Sequence, residues 1–210
     1  MTFERFFYGL VRSFFRLLFI VYNRLSIQWE EELPRDGGSV IVAANHCSYL
    51  DPILVGVAFP RRLRYFAKEE LFRPFLFGRI IRILGAVPVS RADSVSAASA
   101  LKGFFRLLEG GSDVLIFPEG GRSPDGKLQP LEGGVGLIAA HAKVDILPVF
   151  IRGAYEAMPL GSALVKPKKI TVTFGRRIVF DPDLHAGKEA RGKLVAELTE
   201  SLRALESPAS

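Results

Sequence analysis

The sequence is poor in the residues that build metal and redox sites. It holds one cysteine, Cys47, and three histidines in 210 residues. A single thiol excludes an internal disulfide and any multi-cysteine metal site, and it fits a reducing compartment. His141 lies on an apolar helical run and His185 in a loop between Pro182 and Gly187. Neither has a partner at ligand spacing, so no metal is expected. Low-complexity stretches are missing too, and hydrophobic residues make up 49% of the chain, which excludes a disordered polypeptide. This length supports one domain with a sizeable core, not two.

A long uninterrupted apolar run is also lacking. Residues 3 to 22 read FERFFYGLVRSFFRLLFIVY and hold six of the 17 phenylalanines, yet Arg16 and Arg24 leave only seven residues between them. A bilayer span needs about 20. No small-residue cleavage site follows Tyr22, so a signal peptide is not expected. Arg5, Arg12 and Arg16 are spaced seven and four apart, which puts them on one helical face among aromatic and aliphatic neighbours. That pattern suits an interfacial helix, arginines towards lipid phosphates and phenylalanines towards acyl chains. The other reading is an amphipathic helix packed on the domain's own core.

What is abundant is positive charge in one place. The net charge is +6, and residues 61 to 91 carry Arg61, Arg62, Arg64, Lys68, Arg73, Arg79, Arg82 and Arg91 against only Glu69 and Glu70. Such a region suits nucleic acid, acidic lipid or a phosphate-bearing substrate. No nucleic-acid-binding motif accompanies it, so nucleic acid is not the expected partner. Arg79 and Arg82, among Phe75, Phe77, Ile80, Ile81 and Ile83, suggest a second amphipathic segment.

After a turn-rich hinge at 34–38, short apolar runs follow at 39–44, 63–67, 86–90, 113–118, 145–151 and 170–175. Their length and β-branched content predict buried strands. Helix-compatible segments alternate with them at 52–59, 71–84, 94–109, 134–142 and 187–206. The expected fold is a single α/β layered domain, its central sheet largely parallel or mixed and flanked by helices. Segment 1–33 would be a membrane-associating extension and 34–210 the globular domain.

Two polar clusters fall directly after predicted strands, where α/β sheets place their sites. In NHCSYLDP (45–52), His46 and Asp51 can form a base–orienter pair. Residues five apart diverge by about 140° on a helix, so the two meet only if His46 sits in the turn before a helix. Ser48 and Asp51 also have capping-box spacing, and a cap would position His46 as well. In IFPEGGRSPDG (116–126), Gly120 and Gly121 allow close backbone approach to an anion, and Arg122 offers a bidentate fork. Cys47 beside His46 is not expected to be a nucleophile, since neighbours in sequence usually point apart.

Together these clusters resemble the glycerolipid acyltransferase family, which includes the lysophosphatidic acid acyltransferases. Four ordered blocks carry the resemblance: Asn45, His46, Ser48 and Asp51; Gly85 to Arg91 in GAVPVSR; Phe117 to Ser123 in FPEGGRS; and Leu147, Pro148 and Val149. The resemblance covers residues 39 to 153 and extends weakly to 172–180. Gly121 departs from it, standing where the family has threonine.

The resemblance implies transfer of a fatty acyl group from acyl-CoA or acyl carrier protein to 1-acylglycerol 3-phosphate, giving phosphatidic acid. His46 would be the general base and Asp51 its orienter. Arg91, Glu119, Gly120, Arg122 and Ser123 would hold the acceptor, with Lys68 near its phosphate. No cofactor is implied beyond the thioester co-substrate. The expected location is peripheral or monotopic on the cytoplasmic face of an anionic membrane, the inner membrane of a bacterium. The Gly121 departure leaves another lysolipid or a lipid-linked sugar open as acceptor, and a non-catalytic lipid-binding module is the rival of another class.

Overall fold

A computed structural model describes residues 3–33, 38–89, 96–185 and 187–207. Seven strands form one sheet: β1 (Ser26–Trp29), β2 (Val40–Ala44), β3 (Leu63–Lys68), β4 (Ala86–Val89), β5 (Asp113–Ile116), β6 (Asp145–Arg152) and β7 (Thr171–Phe174). Their order is β1-β7-β6-β2-β5-β3-β4. All neighbouring pairs are parallel except β6 with β7, so the sheet is mixed at one edge and parallel through its centre.

The helices are α1 (Phe3–Asn23), α2 (Asp51–Ala58), α3 (Phe75–Ile83), α4 (Ser96–Glu109), α5 (Gly134–Ala142), the single-turn α6 (Ala154–Ala157) and α7 (Gly187–Glu206). Strand alternation sorts the core into two layers. Val40, Val42 and Ala44 of β2 face a cluster containing α2 residues and Phe19 of α1, with Ile81 of α3. Ile41 and Ala43 face the other, with Leu108, Val135, Ile138 and Leu194 from α4, α5 and α7. β2 is buried along its whole length, which explains its unbroken apolar sequence.

Three sequence expectations change. The predicted helix over 71–84 is a 3-10 turn (Glu69–Phe72) followed by α3, because Pro74 holds an extended ψ of 112° at the N-cap. Strand β1 was not predicted. It pairs with β7 through Ser26↔Thr171 to Trp29↔Phe174, so residues grouped with the N-terminal segment supply an edge strand of the sheet. Trp29, the chain's one tryptophan, stacks on Phe174 at 3.8 Å and 6° between ring planes. The third change concerns the arginines of α1.

Helix α1 has two apolar stripes. Tyr8, Val11, Phe15 and Phe19 pack on the domain, and Phe19 is 5% exposed. Phe6, Leu10, Phe14, Leu17 and Val21 point away and are all more than half exposed. On an ideal helix these stripes lie roughly 145° apart. Arg12 borders the packed stripe, so it turns inward: its guanidinium donates to Phe59 O at 2.7 Å, and burial lowers its pKa. It is therefore not directed at lipid phosphates. Arg16 is exposed. The segment Phe6–Asn23 is long and apolar enough to cross a membrane by length and composition, but one side of it is committed to the protein.

Candidate active site at the carboxyl edge of the sheet

Strands β2, β5 and β3 run side by side in one direction, and their carboxyl ends deliver the motif residues to one edge. His46 follows β2 by two residues, Glu119 follows β5 by three, and Lys68 ends β3. Adjacent strands are about 4.8 Å apart, which puts Lys68 on the order of 10 Å from the β2 end.

The chain after β2 is pinned before it reaches α2. Asn45, 2% exposed, accepts from Ile151 N at 2.7 Å and donates to Ile151 O at 3.1 Å, extending the β2–β6 ladder with a side chain. His46 then occupies the turn ahead of α2, as the five-residue spacing requires. Its Nδ1 lies 2.8 Å from Asp51 Oδ2. A carboxylate can only accept, so Nδ1 carries the proton and Nε2 is left with its lone pair. The imidazole is stacked on Phe117 at 4.0 Å and 19°, which fixes the ring plane. Its side chain is 18% exposed while Asp51 is fully buried. The geometry provides a base with access to solvent and an orienter without it.

Asp51 also caps. Its Oδ2 accepts from Cys47 N and Ser48 N, both at 2.7 Å, so one oxygen serves the turn and the imidazole together. Ser48 Oγ accepts from Leu50 N at 3.2 Å and donates to Met158 O at 2.9 Å, so only half of the expected capping box forms. Cys47 is buried, and burial together with the charges of Asp51 and Glu119 raises its thiol pKa far above the ordinary range. That thiol stays protonated and does not act as a nucleophile.

The second cluster clasps the first. Glu119 Oε1 accepts from His46 N at 2.6 Å, and Ser123 N donates to His46 O at 2.7 Å. Glu119 Oε2 accepts from Gln129 N at 2.8 Å. Each carboxylate oxygen thus meets a backbone N–H, and Glu119, expected to hold the acceptor, also anchors the loop carrying His46. Ser123 is buried and turned inward, its Oγ donating to Asp125 Oδ1 at 2.9 Å. Gly120 has φ +69° and its α-hydrogen side faces Glu132, so a side chain there would be strained and crowded. The space beside Gly121 is open to a Cβ.

Arg122 is the cation the cluster presents. It lies over Tyr49 with 3.6 Å from guanidinium carbon to ring centroid, and its buried Nη1 has no hydrogen-bond partner. An unpaired buried guanidinium nitrogen is costly unless an anion completes it. Lys68 is exposed at the end of β3. Gly85 precedes β4 with φ +104°, packed on Leu63 O where no side chain fits. Arg91 lies outside the described residues.

The cationic stretch divides between the two ends of the sheet. Arg61 pairs with Asp113 at 2.8 Å, and Arg62 donates to Ile83 O at 3.3 Å and lies over Tyr8. Asp113 starts β5, so these arginines serve the amino ends of the strands, away from His46. Sequence reasoning overlooked Tyr49, Gln129 and the locking role of Asn45. Only Asn45 and Tyr49 adjoin a recognisable motif; Gln129 has no local signal.

Burial pushes the Glu119 carboxyl up to about 7 despite its two N–H partners. A carboxyl raised in the folded state binds a proton that the unfolded chain releases near its ordinary value of about 4.3. Stability contributed this way falls as pH rises from there to about 7, then levels. Glu119→Gln is expected to flatten that slope in thermal melts across pH. It also turns one N–H acceptor into a donor, and turnover should fall about tenfold or more.

An acyltransferase family model matches residues 24–152. The 1-acyl-sn-glycerol-3-phosphate acyltransferase of Bacillus subtilis is 32% identical over 183 residues, covering 87% of this chain and 83% of the relative. The chloroplast enzyme of the same name from Arabidopsis thaliana is 28% identical over 184 residues, 84% of this chain and 50% of that protein. The chain thus spans about half the length of some of its plant relatives. Among solved structures, the 1-acyl-sn-glycerophosphate acyltransferase PlsC of Thermotoga maritima superposes with a TM-score of 0.77 at 28% identity, covering 99% of this chain and 83% of that one. A mixed seven-stranded sheet with the polar blocks at its carboxyl edge, and a family match across those blocks, lead to one conclusion: the chain belongs to the acyltransferase family.

Proposed function

We propose that the chain is a 1-acylglycerol-3-phosphate O-acyltransferase that forms phosphatidic acid at a membrane surface. The observation that carries this reading is the imidazole of His46, held through Nδ1 by buried Asp51 with Nε2 left as a base. The acceptor hydroxyl gives its proton to Nε2 as its oxygen attacks the thioester carbonyl. Asp51 stabilises the imidazolium that results. The tetrahedral intermediate collapses by breaking the carbon–sulfur bond, and the imidazolium proton goes to the departing thiolate. No acyl-enzyme forms, in keeping with a buried, protonated Cys47.

Arg122 is the leading residue for the acceptor phosphate, because its unpartnered Nη1 and fixed plane suit a bidentate anion. Lys68, at the end of β3, and Arg91 would add charge. Glu119, Gly120 and Ser123 shape the loop. The donor is acyl-CoA or acyl carrier protein. The outward stripe of α1 favours a helix lying in the headgroup region, on the cytoplasmic side of a bacterial inner membrane.

Thiol release from each donor in the presence of 1-acylglycerol 3-phosphate tests the reading. Release with one donor, matched by phosphatidic acid formed, is expected; no release from either would overturn it. Arg122→Ala should raise the acceptor KM about 10- to 100-fold with a smaller change in kcat. An unchanged KM would remove Arg122 from the phosphate site.

A further inference from the structure

The segment after α6 carries a surface that acyl transfer does not use. Its root touches both loops of the site: Tyr155 Oη donates to Pro124 O at 2.9 Å, and Met158 O accepts from Ser48 Oγ at 2.9 Å. Its far end is fastened to the C-terminus of α1. Tyr22 Oη donates to Val165 O at 3.0 Å, and Asn23 Nδ2 donates to Lys166 O at 2.9 Å and Lys168 O at 3.1 Å. Between these anchors Leu160 is 48% and Leu164 76% exposed. Lys166, Lys168 and Lys169 are exposed as well, and none forms an ion pair among the described residues.

Two exposed leucines beside three uncommitted lysines match the two layers of an anionic bilayer, acyl chain and headgroup. The anchors through Tyr22 and Asn23 make this loop continuous with the end of α1, where Val21 is 72% exposed. We propose that the 159–169 loop is a second bilayer contact. Leu160 and Leu164 enter the lipid, the three lysines rest on anionic headgroups, and the mouth of the His46 site is held at the membrane. The lysolipid acceptor then reaches Nε2 by lateral movement from the leaflet. This rests on the membrane reading of α1 above.

The test uses the full chain with Leu164→Cys carrying an environment-sensitive fluorophore; Cys47 is 3% exposed with a strongly raised thiol pKa, so one position labels. A Leu17→Cys label reports on α1. Both labels should brighten severalfold with phosphatidylglycerol-containing vesicles. Replacing the three lysines with glutamine (K166Q/K168Q/K169Q) should weaken partition about a hundredfold at low salt, at about fivefold per lysine.

The proposal fails if the Leu17 label brightens while the Leu164 label stays as in buffer. It fails also if the triple variant partitions like the parent, or loses only turnover with acyl carrier protein, which would assign the loop to the donor. If neither label responds, membrane docking by α1 falls with it. Thiol release from a short-chain soluble acceptor then still reports separately on the chemistry.

Discussion

His46→Ala is expected to lower kcat by a factor of about 10³ or more while leaving folding and vesicle binding intact. General-base catalysis is worth about 10²–10⁴ in rate, and no other group among the described residues at this edge is free to replace it. Asp51 is engaged by two backbone N–H groups, Glu119 by two more, and the Cys47 thiol is held protonated. Folding should survive because the imidazole is partly exposed and contributes a ring contact with Phe117 and one hydrogen bond. The removal leaves the Asp51 carboxylate with its two N–H donors. Single-turnover thiol release beside a thermal melt checks both halves. Turnover near that of the parent would remove His46 from the mechanism.

Asp51→Asn is expected to cost about as much, for a different reason. The amide oxygen can still accept from Cys47 N and Ser48 N, so the turn ahead of α2 persists. That same oxygen faces Nδ1, so the imidazole keeps its orientation but loses the negative charge beside it. A neutral amide does not stabilise the imidazolium that forms when the base takes the acceptor's proton. Loss of the orienting carboxylate in other hydroxyl-activating sites costs about 10⁴ in kcat, and a fall of 10³–10⁴ is expected here. NMR of the labelled imidazole nitrogens should show Nδ1 still protonated, which separates loss of charge from loss of orientation. Asp51→Ala should in addition destabilise the fold, since it strands buried N–H groups at about 1–3 kcal/mol each.

How much of this was legible in the sequence depends on the range of the interaction. The central strands were visible because strands buried on both faces must be continuously apolar, as VIVAA and DVLI are. Strand β1 was invisible for the opposite reason. SIQW is four residues at a sheet edge, only partly buried, and its partner β7 is over 140 residues away. The break between residues 71 and 84 was readable from Pro74 and was passed over in favour of the apolar periodicity around it.

The site divides the same way. His46 and Asp51 lie five residues apart, and helix geometry alone shows how they could meet. The role of Glu119 depends on His46 N across 73 positions of chain, a contact that no local pattern encodes. A family motif reports that a residue matters without saying what it touches, so the backbone contacts of Glu119 and Ser123 emerge only in the fold. Likewise the charge of 61–91 is local in sequence, but Arg61 is committed by Asp113, 52 positions later, at the opposite edge of the sheet.

The stacking of Trp29 on Phe174 has a spectroscopic consequence. With one tryptophan in the chain, emission excited beyond the tyrosine absorption band has a single source, and that source sits on the edge strand β1, remote from His46. Emission therefore records whether the edge strand is seated, while circular dichroism records the helices and the sheet as a whole. If the two signals part company during denaturation, the strand joining α1 to the rest of the sheet has come away first. The chain carries its own gauge of how firmly these two parts are coupled.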